Sequence, residues 1–146
     1  LQLHDIIVWH HPFYWYSAPA IVKEWIDLVL EHDFAYGKKG TALKGKYIFN
    51  SITSGASRET YSAEGNNHFT IRELLAPFEQ TASLCKMIYL PPFVIHGTHL
   101  LKNEVICDCA ASYRQILISL RDGIFTPKDL TEVEYLNDIL ELNENS

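Results

Sequence analysis

The chain of 146 residues has the size of a single domain. Its hydrophobic content of 47% is ordinary for a globular chain, and its formal net charge of −6 comes without a basic cluster. This charge argues against nucleic acid or an anionic membrane surface as the main partner. No apolar run approaches the roughly 18 to 20 residues that a membrane span needs, and no secretory signal opens the sequence. We therefore expect a cytoplasmic protein that does not bind nucleic acid.

The three cysteines do not predict a disulfide framework or a zinc site, because their number is odd and none has Cys-x-x-Cys spacing. Cys107 and Cys109 lie two residues apart on a predicted helix and so face different directions. His10 and His11 are adjacent on a predicted strand, so their side chains point to opposite faces. We expect no bound metal, and we expect one of these two histidines to be buried and hydrogen-bonded.

The first predicted elements are a buried strand, an aromatic loop and a long helix. The apolar run Ile6 to Trp9 is typical of a parallel strand covered on both faces, and Pro12 ends its pairing. Four aromatic residues, Phe13 to Tyr16, follow directly. Ser17 is the expected N-cap of a helix from Ala18 to His32, whose apolar residues recur at helical spacing. In an open α/β sheet, ligands bind at such junctions of strand ends and helix starts.

The rest of the chain continues to alternate between strands and helices. The segment from Ser54 to His68 is long, polar and without periodicity, and a loop of this length inside a compact domain is usually functional. The other predicted elements are a strand at Lys46 to Thr53, a helix at Phe69 to Met87 kinked at Pro77, a strand at Ile88 to Ile95 that Pro91 and Pro92 place at an edge or a bulge, and a helix at Asn103 to Asp122 closed by Gly123.

This alternation predicts an α/β fold with a parallel sheet and right-handed crossovers. Three strands are few for such a sheet, since both faces and both edges need cover, so we expect further strands before Leu1. We assign residues 1–125 to the domain and residues 126–146 to an acidic tail that forms at most one short surface helix.

The block HPFYWYSAPAIVKEWIDLVLEHDFAYG carries a family pattern: a strand ending in proline, an aromatic pair, tryptophan, a small residue, proline, lysine, tryptophan and a late Phe-Ala-Tyr. It resembles the flavodoxin-like NAD(P)H:quinone oxidoreductases, and more narrowly the bacterial ancillary flavoproteins of glutathione-gated potassium efflux systems. The stretches GTALKGKYIFNSITSG, LLAPFEQTASLCKM and YLPPFVIHG are also similar to that branch. The matching residues are Pro12, Trp15, Pro19, Lys23, Trp25 and Phe34 to Tyr36.

The resemblance covers roughly Leu3 to Leu120 and implies a flavodoxin-like, doubly wound parallel sheet that lacks its N-terminal β-α-β portion. The implied activity is transfer of hydride from NAD(P)H to a quinone or similar acceptor, by a ping-pong cycle through FMN, with FAD as the alternative cofactor. The alternative function is that of a regulatory subunit that binds and activates a potassium efflux transporter. A third possibility is a scaffold that holds no flavin.

The resemblance also assigns residues to the site. The aromatic loop would lie along the isoalloxazine and ribityl groups of the flavin, and the stretch after the second strand matches a Thr-Thr-Gly-Gly whose backbone amides contact the flavin edge. Here a serine and an alanine replace the second threonine and the second glycine. The implied cofactor-binding residues are Pro12, Phe13, Tyr14, Trp15, Tyr16, Thr53, Ser54, Gly55, Ala56 and Tyr61.

The implied catalytic residues are Tyr61, over the flavin and substrate, and a histidine that follows it. Strict counting from Tyr61 places Asn67 at that position, and we assign the role to the next residue, His68. Tyr36 resembles the tyrosine that lines the quinone pocket, often across a dimer interface.

Two expectations concern what lies outside these residues. The Ser/Asn-rich loop that holds the flavin phosphate in the family does not occur in this sequence, so either a segment precedes Leu1 or the phosphate site has been lost; we favour the former. We also expect a homodimer, and a position in the cytoplasm or at the inner face of the membrane beside the transporter.

Overall fold

The computed structural model of the protein describes residues 1–125, 129–130 and 133–144. The predicted alternation of strands and helices is confirmed in this part of the chain. The elements are β1 (Ile6–Pro12), α1 (Ala20–Val29), β2 (Tyr47–Thr53), α2 (Ile71–Leu74), α3 (Ala76–Leu84), β3 (Ile88–Tyr89), β4 (Phe93–Ile95), α4 (Asn103–Arg121) and α5 (Leu136–Glu144), with 3-10 turns at Arg58–Thr60 and Thr98–Leu100.

The strands form a parallel sheet with β2 at its centre. On one side β1 pairs with β2 along its whole length, from Ile6 opposite Tyr47 to Pro12 opposite Thr53. On the other side β2 pairs first with β3 and then with β4. These last two strands are the two halves of the predicted third strand, and Pro91 and Pro92 interrupt the pairing between them because proline has no N–H to donate.

Helices cover both faces of this sheet, which confirms the doubly wound α/β prediction. On one face α1, α2 and α3 pack over a core that contains Ile48, Ile52 and Leu75. On the other face α4 and residues 130, 133, 136, 139 and 140 pack over Phe49 and Phe93. Side chains of β2 therefore enter alternate cores, as strand geometry requires.

The predictions for β1 and α1 need two corrections. In β1 the burial alternates, with Ile7, Trp9 and His11 buried and the intervening residues half-buried or exposed, so the strand is fully covered on one face only. The helix α1 begins after Pro19, and the side chain of Ser17 makes no capping bond. It ends at Val29, because the chain then reverses through a left-handed Asp33.

The helix predicted from Phe69 to Met87 is broken at Leu75 rather than kinked at Pro77. The proline lies in the first turn of α3, where its missing N–H costs little. The first piece, α2, begins with a capping box in which Thr70 and Glu73 exchange hydrogen bonds between side chain and backbone. No helix within the described residues is long and apolar enough to cross a lipid bilayer.

The C-terminal segment, defined as residues 129–130 and 133–144, corrects the prediction of a surface helix. Its helix α5 exists, but Leu136 and Ile139 are buried in the second core, where their spacing of three residues points both side chains the same way. The side-chain amide of Asn137 bonds to both the N–H and the C=O of Val94, at 2.9 and 3.0 Å, and so satisfies the outer edge of β4. Residues 126–128 are outside the described residues, and the domain boundary at 125 stays a prediction.

Candidate functional site

A cleft of about 620 Å³ opens at the carboxyl end of β1 and β2. This volume is within the range of small-molecule sites, and the position is where ligands bind in open α/β sheets. The cleft brings together the aromatic loop (Phe13–Tyr16) and the site loop (residues 54–68), as the sequence predicted for the segments that follow β1 and β2. Its lining residues are Phe13, Tyr14, Trp15, Tyr16, Ala56, Thr60, Tyr61, Asn66 and Asn67.

The aromatic loop is a tight turn with an unusual backbone. The N–H of Ser17 donates to the carbonyl of Tyr14 at 2.9 Å, and the two residues between them, Trp15 and Tyr16, have φ angles of 49° and 60°. Turns with two left-handed central residues favour Gly, Asn or Asp, and each other residue there costs on the order of 1–3 kcal/mol. The Trp15 side chain is 92% exposed, so burial in this chain does not offset that cost. Strain of this kind concentrates at ligand sites.

Tyr61 forms the inner side of the cleft. Its side chain is buried, and its ring meets that of Phe13 edge to face with centroids 5.7 Å apart. Behind it lies His96, at 6.2 Å between ring centroids. The backbone N–H of Tyr61 donates to the carbonyl of Arg58 at 3.0 Å, which closes the 3-10 turn before it. The rings of Phe13 and His96 therefore contact the side chain of Tyr61, and a hydrogen bond to Arg58 fixes its backbone.

The chain that leaves β2 presents free backbone donors. Ser54 is anchored, because its N–H donates to Ile95 at 2.8 Å and its hydroxyl donates to the carbonyl of Ala56 at 2.9 Å. Within the described residues, the amides of Gly55 and Ala56 have no acceptor. A Cβ at Gly55 would lie 2.6 Å from Nε2 of His99, so the site loop approaches this imidazole too closely for a side chain. The result is a pair of N–H groups free to bind the polar edge of a ligand.

A buried hydrogen-bond chain supports the start of the aromatic loop. The hydroxyl of Tyr89 donates to Oδ1 of Asn50 at 2.6 Å, and Nδ2 of Asn50 donates to Nε2 of His11 at 2.9 Å. His11 must then donate from Nδ1 to the carbonyl of Pro12, 2.9 Å away. Burial lowers the pKa of His11, the bond to Pro12 opposes this, and His10 adds a smaller lowering effect. The prediction that one of the two histidines is buried and hydrogen-bonded is confirmed.

The structure does not bring every predicted residue into the cleft. His68 is exposed, has a φ of 58° and does not line the cleft, whereas the preceding Asn67 does and accepts a long hydrogen bond of 3.4 Å from the hydroxyl of Tyr16. Tyr36 also lies elsewhere and packs edge to face on His32 at 5.3 Å. Pro12, Thr53, Ser54 and Gly55 are near lining residues in sequence but do not line the cleft themselves. Thr60 and Asn66 line it without having been predicted.

Behind Tyr61, an ionic and aromatic group links the site loop to the C-terminal segment. The Arg58 guanidinium donates to Asp138 at 2.8 and 3.0 Å and to Glu134 at 2.8 Å, and lies 4.5 Å from the centroid of the Tyr135 ring. These four residues are here called the Arg58 cluster. Both bonds raise the pKa of Arg58, with that to Asp138 the larger cause. Sequence reasoning missed this cluster, because no local spacing relates residue 58 to residues 134–138.

His96 fills the space between the cleft and the Arg58 cluster. Its ring lies between those of Tyr61 and Tyr135, the latter at 5.5 Å. Within the described residues, both ring nitrogens of His96 are buried without a hydrogen-bond partner. The same holds for the hydroxyl of Tyr135. Burial, and then the charge of Arg58, lower the pKa of His96, which favours its neutral form. In the part of the chain that is described, no three His, Cys, Asp or Glu side chains are placed to hold a metal ion.

Comparisons with known proteins identify relatives of this chain. A family model for the flavodoxin-like fold matches residues 1–117. The chain is 44% identical, over 119 residues, to the glutathione-regulated potassium-efflux system ancillary protein KefG of Pectobacterium atrosepticum, which covers 82% of this chain and 65% of that protein.

Two solved structures are also similar. An NADPH-quinone reductase from P. pentosaceus has a TM-score of 0.73 and 36% identity, covering 78% of this chain and 67% of that one. General stress protein 14 from Treponema denticola, in complex with FMN, has a TM-score of 0.72 and 37% identity, covering 83% of this chain and 67% of that one. The chain thus spans about 65% of the length of the curated relative.

Proposed function

The chain belongs to the flavodoxin-like family, and we propose that its cleft binds the isoalloxazine end of FMN in an NAD(P)H:quinone-type oxidoreductase. The observation that carries this proposal is that the aromatic loop, Ala56 and Tyr61 line one cleft, beside the backbone amides of Gly55 and Ala56, which have no acceptor within the described residues. A flavin ring is flat and apolar on its faces and polar along one edge, so it needs this combination of aromatic contacts and N–H donors.

The residues present fit the ring end of the flavin. Phe13, Trp15 and Tyr61 offer aromatic surface, and the amides of Gly55 and Ala56 offer donors to carbonyl and ring nitrogen acceptors. Ala56, which stands in place of the family's second glycine, lines the cleft. The proposal is limited to the ring end, because the family's phosphate-binding loop is not among these 146 residues.

When bound, FMN supplies the redox chemistry, a two-electron hydride transfer from NAD(P)H to a quinone by a ping-pong cycle. The chain contributes binding and orientation. The aromatic loop would exclude water from the ring, and Tyr61, held by Phe13 and His96, would orient flavin and substrate. Asn67 reaches the cleft with Tyr16 and offers a polar contact to a nicotinamide or a quinone.

Two residues that were predicted to act on the substrate, His68 and Tyr36, do not line the cleft. His68 would reach a bound substrate after a rearrangement of the site loop, since its side chain lies outside the cleft. Tyr36 does not line the cleft of its own chain, so we propose that it contributes to the cleft of a second copy in a homodimer. The exposed apolar side chains of Ile21 (71%) and Leu28 (66%) on α1 offer surface for such a contact.

The spectrum of the purified protein tests this function. We expect absorption near the flavin bands, retained through gel filtration or restored by added FMN, and oxidation of NADH or NADPH that depends on a quinone. A folded protein that takes up no FMN and oxidises neither nucleotide would exclude the proposed activity.

A second function, regulation of a potassium efflux transporter, is favoured by the 44% identity to an ancillary protein of such a system. We propose that the chain then acts as a peripheral subunit at the cytoplasmic face of the membrane. The exposed Trp15 and the exposed side of α1 are candidates for the contact. Potassium efflux measured in cells with and without this protein distinguishes the two functions, since unchanged efflux after its deletion would contradict the regulatory one.

A further inference from the structure

We propose that Arg58 is a positioning residue of the cleft, and that the C-terminal segment acts on ligand binding through it; this inference rests on the proposed flavin site. Arg58 does not line the cleft. It lies on the site loop three residues before Tyr61, and its charged group binds residues of the C-terminal segment. The loop that carries Tyr61 is therefore joined to the far end of the chain.

Arg58 makes more contacts than an ordinary surface ion pair, and their geometry is better defined. Its guanidinium binds both carboxylate oxygens of Asp138 and one of Glu134, and it lies over the ring of Tyr135. Bidentate and shared contacts of this kind fix the direction of the guanidinium as well as its place. Exposed single pairs contribute little, but networks with good geometry are the exception to that rule.

The backbone transmits this restraint to the cleft. The carbonyl of Arg58 accepts the N–H of Tyr61, and the carbonyl of Thr60 accepts the N–H of Asn67 at 3.1 Å. Arg58, which the C-terminal segment holds, is thus bonded to Tyr61. Thr60, two residues further along, is bonded to Asn67. Both of these residues line the cleft.

Side-chain packing makes a second connection between the same two regions. Tyr135, under the guanidinium of Arg58, packs against His96, which in turn packs against Tyr61. Tyr135 is 1% exposed, so its ring is closely packed between the guanidinium of Arg58 and the ring of His96. Releasing Arg58 should therefore loosen the position of the Tyr61 ring as well as its backbone.

The C-terminal segment lies beyond the residues that the family match covers. The match ends at residue 117, whereas Glu134, Tyr135 and Asp138 come later. The restraint on the cleft thus comes from a part of the chain outside the residues that the family model matches. The segment is fixed to the sheet by its own core contacts and by Asn137, so it can hold the loop.

Four variants test the inference. Arg58→Gln removes the charge from the loop side, and the double variant Glu134→Gln with Asp138→Asn removes it from the C-terminal side without touching the loop. Arg58→Lys retains the charge and loses the bidentate geometry. Arg121→Gln is the matched control, since Arg121 pairs with Asp122 at the end of α4 and contacts no residue of the cleft.

The first measurement is amide hydrogen exchange of residues 54–68 without any flavin. We expect the amides of Tyr61 and Asn67 to exchange roughly five to ten times faster in Arg58→Gln and in the double variant, about what the loss of one good ionic contact produces. Arg58→Lys should be intermediate and Arg121→Gln unchanged. Equal exchange in wild type and both charge-removing variants would overturn the inference.

The second measurement is the affinity for FMN by quenching of flavin fluorescence. We expect the dissociation constant to rise roughly five-fold in Arg58→Gln and in the double variant, and to be partly restored in Arg58→Lys. Faster exchange with an unchanged dissociation constant would also overturn the inference, because the contact would then be structural only. A wild-type protein that binds no FMN would instead contradict the proposed function, while the exchange measurement would still decide whether the C-terminal segment restrains the loop.

Discussion

The rings of Phe13 and Tyr61 meet edge to face in the lining of the cleft, with their centroids 5.7 Å apart. The contact follows from the pairing of β1 with β2, because Pro12 lies opposite Thr53 and the two strands end side by side. Each strand is followed by a loop that turns toward the other. Two segments that are distant in sequence thereby become the two sides of one site.

Replacing Tyr61 tests the role of that contact. Tyr61→Ala should weaken FMN binding by about tenfold or more, since the loss removes one aromatic surface and leaves Phe13 without its partner. Tyr61→Phe keeps the ring and should bind FMN within about twofold of wild type, while any change in its rate of quinone reduction would report the hydroxyl. Equal affinity of Tyr61→Ala and wild type would show that the flavin does not bind here.

Adding a methyl group at Gly55 tests the role of the free amides. In Gly55→Ala the new Cβ would approach Nε2 of His99 to 2.6 Å, and because His99 is an exposed loop residue its ring can move away. We therefore expect a loss of at most about 1 kcal/mol in the free energy of unfolding, but a clear loss of FMN affinity as the amide edge is displaced. The pair Gly55→Ala with His99→Ala should recover the stability; recovery of affinity as well would assign the effect to the clash alone.

The turn at Trp15 should show a trade-off between stability and binding. Asparagine accepts a left-handed backbone more readily than tryptophan does, and the Trp15 side chain is 92% exposed. Trp15→Asn should therefore raise the free energy of unfolding by up to about 1 kcal/mol while weakening FMN binding. Chemical denaturation and flavin titration of the same sample check both. A variant that is less stable than wild type would contradict the strained-turn interpretation.

Stability should fall as the solution is acidified through the histidine range. The pKa values of His11 and His96 are lowered in the folded protein from an ordinary value of 6.5. Below about pH 6.5 the unfolded chain thus binds more protons than the folded one. The histidines therefore cost no stability above that pH, and the free energy of unfolding decreases as the pH falls from there toward the pKa values of the folded protein. Denaturation at pH 7.5 and 5.5 measures the loss.

A pair of adjacent variants isolates the part due to His11. His11→Gln removes a buried titrating group and should make the pH dependence less steep, by at most about 1.4 kcal/mol per pH unit. His10→Gln removes only the smaller lowering effect that His10 has on the pKa of His11, so it should change the slope less than His11→Gln does. The same slope in His11→Gln and wild type would show that the buried hydrogen-bond chain does not respond to protonation.

The fold was predictable from the sequence where local pattern decides it. The strands β1 and β2, the broken third strand at Pro91 and Pro92, and the helix α4 closed by Gly123 follow from apolar runs, missing N–H donors and a left-handed glycine. The start of α1 did not follow, because the helix begins at Ala20 with Pro19 in the N-cap position, which places Ser17 two residues too early to cap it.

The sequence indicated which loops form the candidate site, but not how the site loop is folded or what holds it. The aromatic loop, Ala56 and Tyr61 line one cleft, whereas their binding of a flavin stays a prediction. The position of His68 outside the cleft and the reach of Arg58 to Asp138 depend on how the site loop folds back over the C-terminal segment. Such long-range contacts leave no periodic signal in the sequence. The C-terminal segment was predicted to lie on the surface because it is rich in acidic residues, although its apolar residues Leu136 and Ile139 are buried.

The measurement that bears most directly on the central claim is a titration of the purified protein with FMN, followed by flavin fluorescence, with riboflavin in parallel. If the cleft holds the ring end, aromatic contacts should quench the fluorescence of both flavins in a saturable way, with one flavin per chain, and Tyr61→Ala should shift the midpoint to higher concentration. Fluorescence that stays at the level of free flavin with folded protein, or quenching that Tyr61→Ala leaves unchanged, would contradict a flavin site between the aromatic loop and Tyr61.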